Sequence, residues 1–205
     1  MEKVNQLLND KAWARWTALV LIASMMFFGY MFVDVMSPIQ ALMESEKGWG
    51  PDTFGTYAAS EYIVNVLGFL IIAGVILDKM GVRFTALLSG GVMLLGAIIK
   101  WYAISDSFIG SDLETWFTNN LNHIPVFEQL NVSPFYEGMP ASAKLAACGF
   151  MLFGCGAEMG GITVSRGIVK WFKGREMALA MGSEMALARL GVATCMIFSP
   201  FFAKL

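Results

Sequence analysis

The sequence predicts an all-α, polytopic membrane protein, and three observations carry that prediction. First, the 205 residues are 57% hydrophobic and 15% charged, with a mean hydropathy of +0.61. A soluble domain is roughly 45–50% apolar and roughly 25% charged. Second, the apolar residues are gathered into five runs, each near the about 20 residues that a helix needs to cross a hydrocarbon core. Third, Lys and Arg collect in alternate connections between those runs, as in a chain that crosses a bilayer repeatedly.

The first span is expected at about 16–40, on WTALVLIASMMFFGYMFVDVM (16–36). It is too long, and too polar in its second half, for a signal peptide, and no small-residue cleavage site follows. The second, at about 55–78, is built on YIVNVLGFLIIAGVIL (62–77), and the third, at 84–104, on FTALLSGGVMLLGAIIKWYAI. Segment 105–142 carries Trp116, Phe117, Phe127, Phe135 and Tyr136 and is expected to be an irregular loop with one short interfacial helix. The fourth span (about 143–170) rests on LAACGFMLFGCGAEMGGITV, and the fifth (about 177–203) on MALAMGSEMALARLGVATCMIFSPFF.

Neither a metal site nor a cofactor is expected. Cys148, Cys155 and Cys195 lie inside spans without CxxC spacing, which suits helix packing. His123 is the only histidine and has no second ligand nearby. Asn131-Val-Ser133 fits a glycosylation acceptor and reads as a chance match. Without HExxH or GxSxG the chain is not expected to be an enzyme, and a net charge of −2 offers nothing to nucleic acid.

Orientation follows the basic residues. Lys3, Lys11 and Arg15 precede span one, Lys79 and Arg83 sit between spans two and three, and Lys170, Lys173 and Arg175 between four and five. The opposite loops hold mainly Lys47 and Lys144 among many acids, with Lys100 near a span end. The N-terminus is therefore expected in the cytoplasm and 105–142 outside. Five spans would then leave Leu205 outside directly after an apolar helix, so a longer protein is expected, with a sixth helix and a second half beyond these residues.

The turn between spans two and three reads GVILDKMGVRF (74–84). Gly74 permits close approach of another helix, Gly81 supplies a tight reversal, and Lys79 and Arg83 hold the turn inside. Gly74, Asp78, Lys79, Gly81 and Arg83 resemble the signature loop of the major facilitator superfamily, Gly-x-Leu-x-Asp-Arg-x-Gly-Arg-Lys; Val82 departs from a usually basic position. Tyr30, Asp34, Ser37 and Pro38 are similar to a pattern at the end of span one in that superfamily, and Ser60, Tyr62 and Asn65 to one in span two. The resemblance implies the N-terminal half of two six-helix bundles that rock about a central substrate site. It also implies that Asp78 contacts the second half when the cytoplasmic side is closed.

Three charges fall within spans four and five. An ionised side chain at a helix centre costs about 2.5–3.5 kcal/mol, so Glu158, Glu184 and Arg189 must pair or reach water. Glu158 precedes the turn at Trp171 by 13 residues and Arg189 follows Glu176 by 13. At 1.5 Å per residue both lie ~20 Å from that turn. A direct ion pair and a link through substrate or water are both open. Glu184 lies ~12 Å and Arg166 ~7.5 Å from the turn, which favours a structural tie between them over substrate contact.

A closer resemblance joins these residues. GCGAE (154–158), KWFKGRE (170–176) and LAMGSEMALARLG (179–191) resemble the lysosomal dipeptide transporter branch of the superfamily. The branch implies that Glu158 and Arg189 hold the amino and carboxyl ends of a dipeptide, with Tyr30, Asp34, Tyr62 and Asn65 also lining the site. Two departures stand out. Glu184 replaces an uncharged polar residue, and Phe150 replaces an arginine that often opens the glycine motif. Lys3 stands where an acid would be needed before Leu7-Leu8 in a lysosomal sorting signal, so a bacterial plasma membrane is expected. The expected function is a secondary active or facilitative transporter of a dipeptide or other zwitterion. The alternatives are a proton-coupled carrier of sugars or organic anions, using Asp34 or Glu158, and a nontransporting receptor or scaffold on the same fold. The expected partners are the small solute, the bilayer and the second half of the protein.

Overall fold

The computed structural model describes residues 10–121 and 135–203, and among these the chain is helical apart from short connections, with no strand. Lys3, Leu7-Leu8, His123, Phe127 and Asn131-Val-Ser133 lie outside the described residues. Helix α1 spans Ala12–Val33; a 3-10 turn at Ser37–Ile39 leads into α2, Gln40–Lys47. There follow α3 (Pro51–Val64), α4 (Leu70–Ile104), α5 (Asp112–Asn120), α6 (Ala141–Phe172) and α7 (Met177–Phe202). Four stretches are long and apolar enough to cross a membrane: Ala12–Lys47, Pro51–Ile104, Ala141–Phe172 and Met177–Phe202. Many of their large apolar side chains face outward, among them Val66, Ile71, Leu87 and Ile197. A soluble fold would bury such residues; lipid accepts them. The chain is a multi-pass membrane protein.

The 54-residue stretch Pro51–Ile104 would measure about 80 Å as one straight rod, against a hydrocarbon core of about 30 Å. It is broken twice. A π-helical turn at Asn65–Phe69 contains Gly68 at φ 109°, and α4 contains Gly81 at φ 78° and ψ 170°. Lys100, near the end of the stretch, lies 5.7 Å from the ring of Tyr57, near its beginning. The chain therefore doubles back between them, and Gly81 sits midway. This one stretch crosses twice, giving five crossings. The Thr85 hydroxyl donates to the Gly81 carbonyl at 2.9 Å and holds the start of the returning helix.

Helix α6 is the central element: 61% of its most apolar window is buried, against 17% for α7. Glycines let its backbone close on α4. A Cβ on Gly96 would stand 2.6 Å from the Gly149 carbonyl oxygen, and one on Gly156 would stand 2.7 Å from Met93 Cγ. The Ser89 hydroxyl donates to the Gly156 carbonyl across the same seam at 2.6 Å. On its other side α6 packs against α3, where Gly154 abuts the backbone carbonyl of Glu61. With these faces taken, α7 packs chiefly on α1 and only slightly on α6, although the two are consecutive. Gly191 of α7 abuts the Phe27 carbonyl of α1.

The two ends of the bundle differ in chemistry. One end buries Trp49, Phe108, Phe117, Phe135 and Met139 in an aromatic cluster under α5. Polar bonds tie it: Trp49 Nε1 donates to Ser142 Oγ at 3.0 Å, and Lys144 Nζ to the Phe117 carbonyl at 3.2 Å. That end also carries the pair Lys47–Asp106 at 3.6 Å, and the Gly81 end carries three pairs: Arg15–Glu176 at 3.4 Å, Arg175–Asp10 at 3.1 Å, and Arg166–Asp78.

Candidate functional site

Midway between the two ends, α1, α3, α4 and α6 enclose a cavity of about 110 Å³. Gly29 and Tyr30 come from α1, Glu61 and Tyr62 from α3, Met93 from α4, and Glu158 and Gly160 from α6. Small residues form the space. Each of the two carboxylates reaches it because a helix approaches closely: Gly154 has no side chain to push α3 away, so Glu61 sits beside the Glu158 helix. Glu61 is 5% exposed.

Arg189 of α7 lies outside this cavity, with its guanidinium 5.8 Å from the ring centroid of Tyr30. Tyr30 thus borders the cavity that Glu158 lines and also lies beside Arg189, and the two charges form no direct ion pair. Helix adjacency was not legible from the sequence, because α7 leaves α6 for α1.

The expected tie between Arg166 and Glu184 is corrected. Arg166 pairs with Asp78 instead. The reason is again the packing: the C-terminal part of α6 lies along α4, so Arg166 meets the Gly81 turn, while Glu184 is carried away on α7 and buried. Asp78 consequently has a partner inside this bundle. Lys79 and Arg83 are exposed at the same turn, Gly81 makes the reversal, and Gly74 stands in α4 with open space beside it rather than at a close helix contact.

Of the other expected residues, Tyr30 and Tyr62 line the cavity and Asn65 does not. Asn65 is buried at the start of the π-helical turn that follows α3 and donates to the Glu61 carbonyl at 3.1 Å, one turn back. Asp34 caps the end of α1 and lies within electrostatic reach of Glu61 and Lys100.

Two residues escaped the sequence reading. Glu61 sits inside the quoted Ser60-x-Tyr62 pattern at its variable position. Lys100, assigned to a span end, is 7% exposed. Its Nζ lies 4.1 Å from the Phe150 centroid and 5.1 Å from that of Phe153, and donates to the Phe32 carbonyl at 3.3 Å. Phe150 stacks on Tyr57 at 4.8 Å. A desolvated cation over aromatic faces gains about 2 kcal/mol. The phenylalanine that replaces an expected arginine in α6 thus receives a cation from α4. The only sequence signal was a lone lysine within an apolar run, which ordinarily snorkels to an interface.

Among the described residues no group of three or more His, Cys, Asp or Glu side chains is arranged to hold a metal ion. No protein-family model, curated protein or solved structure matches this chain.

Proposed function

We propose that this chain is the N-terminal bundle of a secondary active or facilitative transporter of the major facilitator type, moving a dipeptide or other small zwitterion by alternating access. The observation that supports this reading is that Glu158 and Tyr30 line one cavity in a membrane-spanning bundle, with the Arg189 guanidinium 5.8 Å from the Tyr30 ring centroid. A carboxylate holds an ammonium group, and an arginine grips a carboxylate through two bonds. A cavity of about 110 Å³ is smaller than the about 300–1,000 Å³ of a typical ligand site. It accommodates one end of such a solute, and a facing second bundle supplies the remaining wall. In this reading the N-terminus is cytoplasmic, the Gly81 turn is a cytoplasmic gate, and the membrane is a bacterial plasma membrane.

The test is uptake of labelled dipeptide by the full-length protein in proteoliposomes. Glu158→Gln and Arg189→Lys are each expected to lower uptake at least 100-fold with normal expression. Uptake at the wild-type rate by either variant removes the proposed site. Binding without flux in the wild type identifies a receptor.

A second reading, a proton-coupled carrier of sugars or organic anions, is favoured by one observation. Asp34 and Glu158 both lie within electrostatic reach of Glu61. Uptake that persists when the pH gradient is collapsed excludes it.

A further inference from the structure

The membrane-embedded charges around the cavity do not balance. Glu61 and Glu158 line it, and Asp34 lies close enough to Glu61 to act on it electrostatically. Against these three carboxylates stand two cations, Lys100 and Arg189. With every group ionised one negative charge is left over, and an uncompensated charge within a membrane bundle is costly.

The excess sits on the cavity. Lys100 is within electrostatic reach of Glu61, but its ammonium is held by the rings of Phe150, Phe153 and Tyr57 and by the Phe32 carbonyl, and it lines no part of the cavity. Arg189 lies outside the cavity beside the Tyr30 ring. The walls therefore present two carboxylates, the hydroxyl-bearing rings of Tyr30 and Tyr62, and Met25, Met26 and Met93, with no cation among them. Nearby, the buried hydroxyl of Tyr57, which is within electrostatic reach of Glu61, has no hydrogen-bond partner. Carboxylates beside aromatic rings and thioethers form a receptor for organic cations.

We propose that Glu61 is a second, specificity-determining ligand for the solute, and that the cavity selects a molecule of net charge +1. Such a molecule is a dipeptide with one basic side chain, whose second ammonium or guanidinium meets Glu61 while its amino end meets Glu158. This rests on the dipeptide reading above and sharpens its substrate class. A neutral zwitterion balances Glu158 and Arg189 and leaves Glu61 without a cation inside the cavity.

The competing source of the missing charge is a proton, and the experiment separates the two. Full-length protein in proteoliposomes is assayed with labelled glycyl-lysine and glycyl-leucine, with and without a pH gradient. The expected result is a preference for glycyl-lysine of about tenfold without a gradient, equivalent to about 1.4 kcal/mol. Glu61→Gln is expected to bring the ratio near one, whatever its effect on the absolute uptake of either dipeptide. Binding, read as the thermal shift produced by each dipeptide, should change in parallel. Glu61→Asp, which keeps the charge on a shorter stem, is expected to retain part of the preference and covers the case in which the glutamine variant does not fold.

An equal ratio in the wild type, with gradient-driven uptake of glycyl-leucine, overturns the proposal in favour of a proton. An unchanged preference in Glu61→Gln overturns the role of Glu61 and leaves the transporter reading standing. Failure of the wild type to bind or move either dipeptide overturns both.

Discussion

Lys100 shows how a residue's role depends on neighbours that are distant in sequence. Its ammonium is buried against three rings and one carbonyl. The cation–π attraction of about 2 kcal/mol opposes the cost of taking an ammonium out of water, so the net effect on stability is small. Lys100→Met keeps the stem packed between Phe150 and Phe153 and removes the charge. Thermal unfolding in detergent is expected to shift by less than about 2 kcal/mol, while the cavity's excess negative charge rises by one. A loss well beyond that value would make Lys100 a structural pin instead. The same scale explains what the sequence hid. Glu158 and Arg189 stood out because they interrupt long apolar runs, whereas Glu61 lies at the polar start of its run and Lys100 near the end of its own.

At the scale of elements, glycine sets both the turns and the seams. Gly81 at φ 78° and ψ 170° occupies a region that residues with a Cβ adopt only under strain of about 1–3 kcal/mol. Gly81→Ala is expected to lower the unfolding free energy by about that amount, read as a fall in the detergent melting temperature. An unchanged melting temperature would mean that the turn relaxes into another geometry. Gly96 acts by close approach, since its Cβ would meet the α6 backbone at 2.6 Å. Backbone cannot yield as a flexible side chain does, so Gly96→Ala is expected to cost about 1–3 kcal/mol or more and to separate α4 from α6. The five crossings were legible as runs of the right length. Their packing partners were not, because every face of a membrane helix is apolar and periodicity does not distinguish lipid from protein.

Across the whole molecule, three ion pairs hold the Gly81 end, and the opposite end is held by an aromatic cluster with the single pair Lys47–Asp106. Arg166 and Asp78 are partly exposed, so their pair contributes no more than about 1 kcal/mol to stability. In an alternating-access transporter an exposed pair of this kind biases the balance between states more than it holds the fold. Asp78→Asn is expected to leave the melting temperature within a few degrees of wild type and to change the reactivity of cysteines introduced at the Gly81 end. Unaltered labelling together with unaltered uptake would remove the gate role.

The sequence by itself determined the class of molecule, the crossings and the presence of costly charges within them. Each follows from local composition: a 20-residue apolar run has few alternatives to a spanning helix, and a charge inside it is conspicuous wherever the helix packs. Tertiary structure alone decided which charges meet. Arg166 turned to Asp78 rather than Glu184, Arg189 came to lie beside Tyr30 outside the Glu158 cavity, and Glu61 joined Glu158 in one cavity. The physical reason is the same in each case. The glycines of α6 commit its faces to α3 and α4 and send α7 to α1, and contact order along the chain carries no record of that choice.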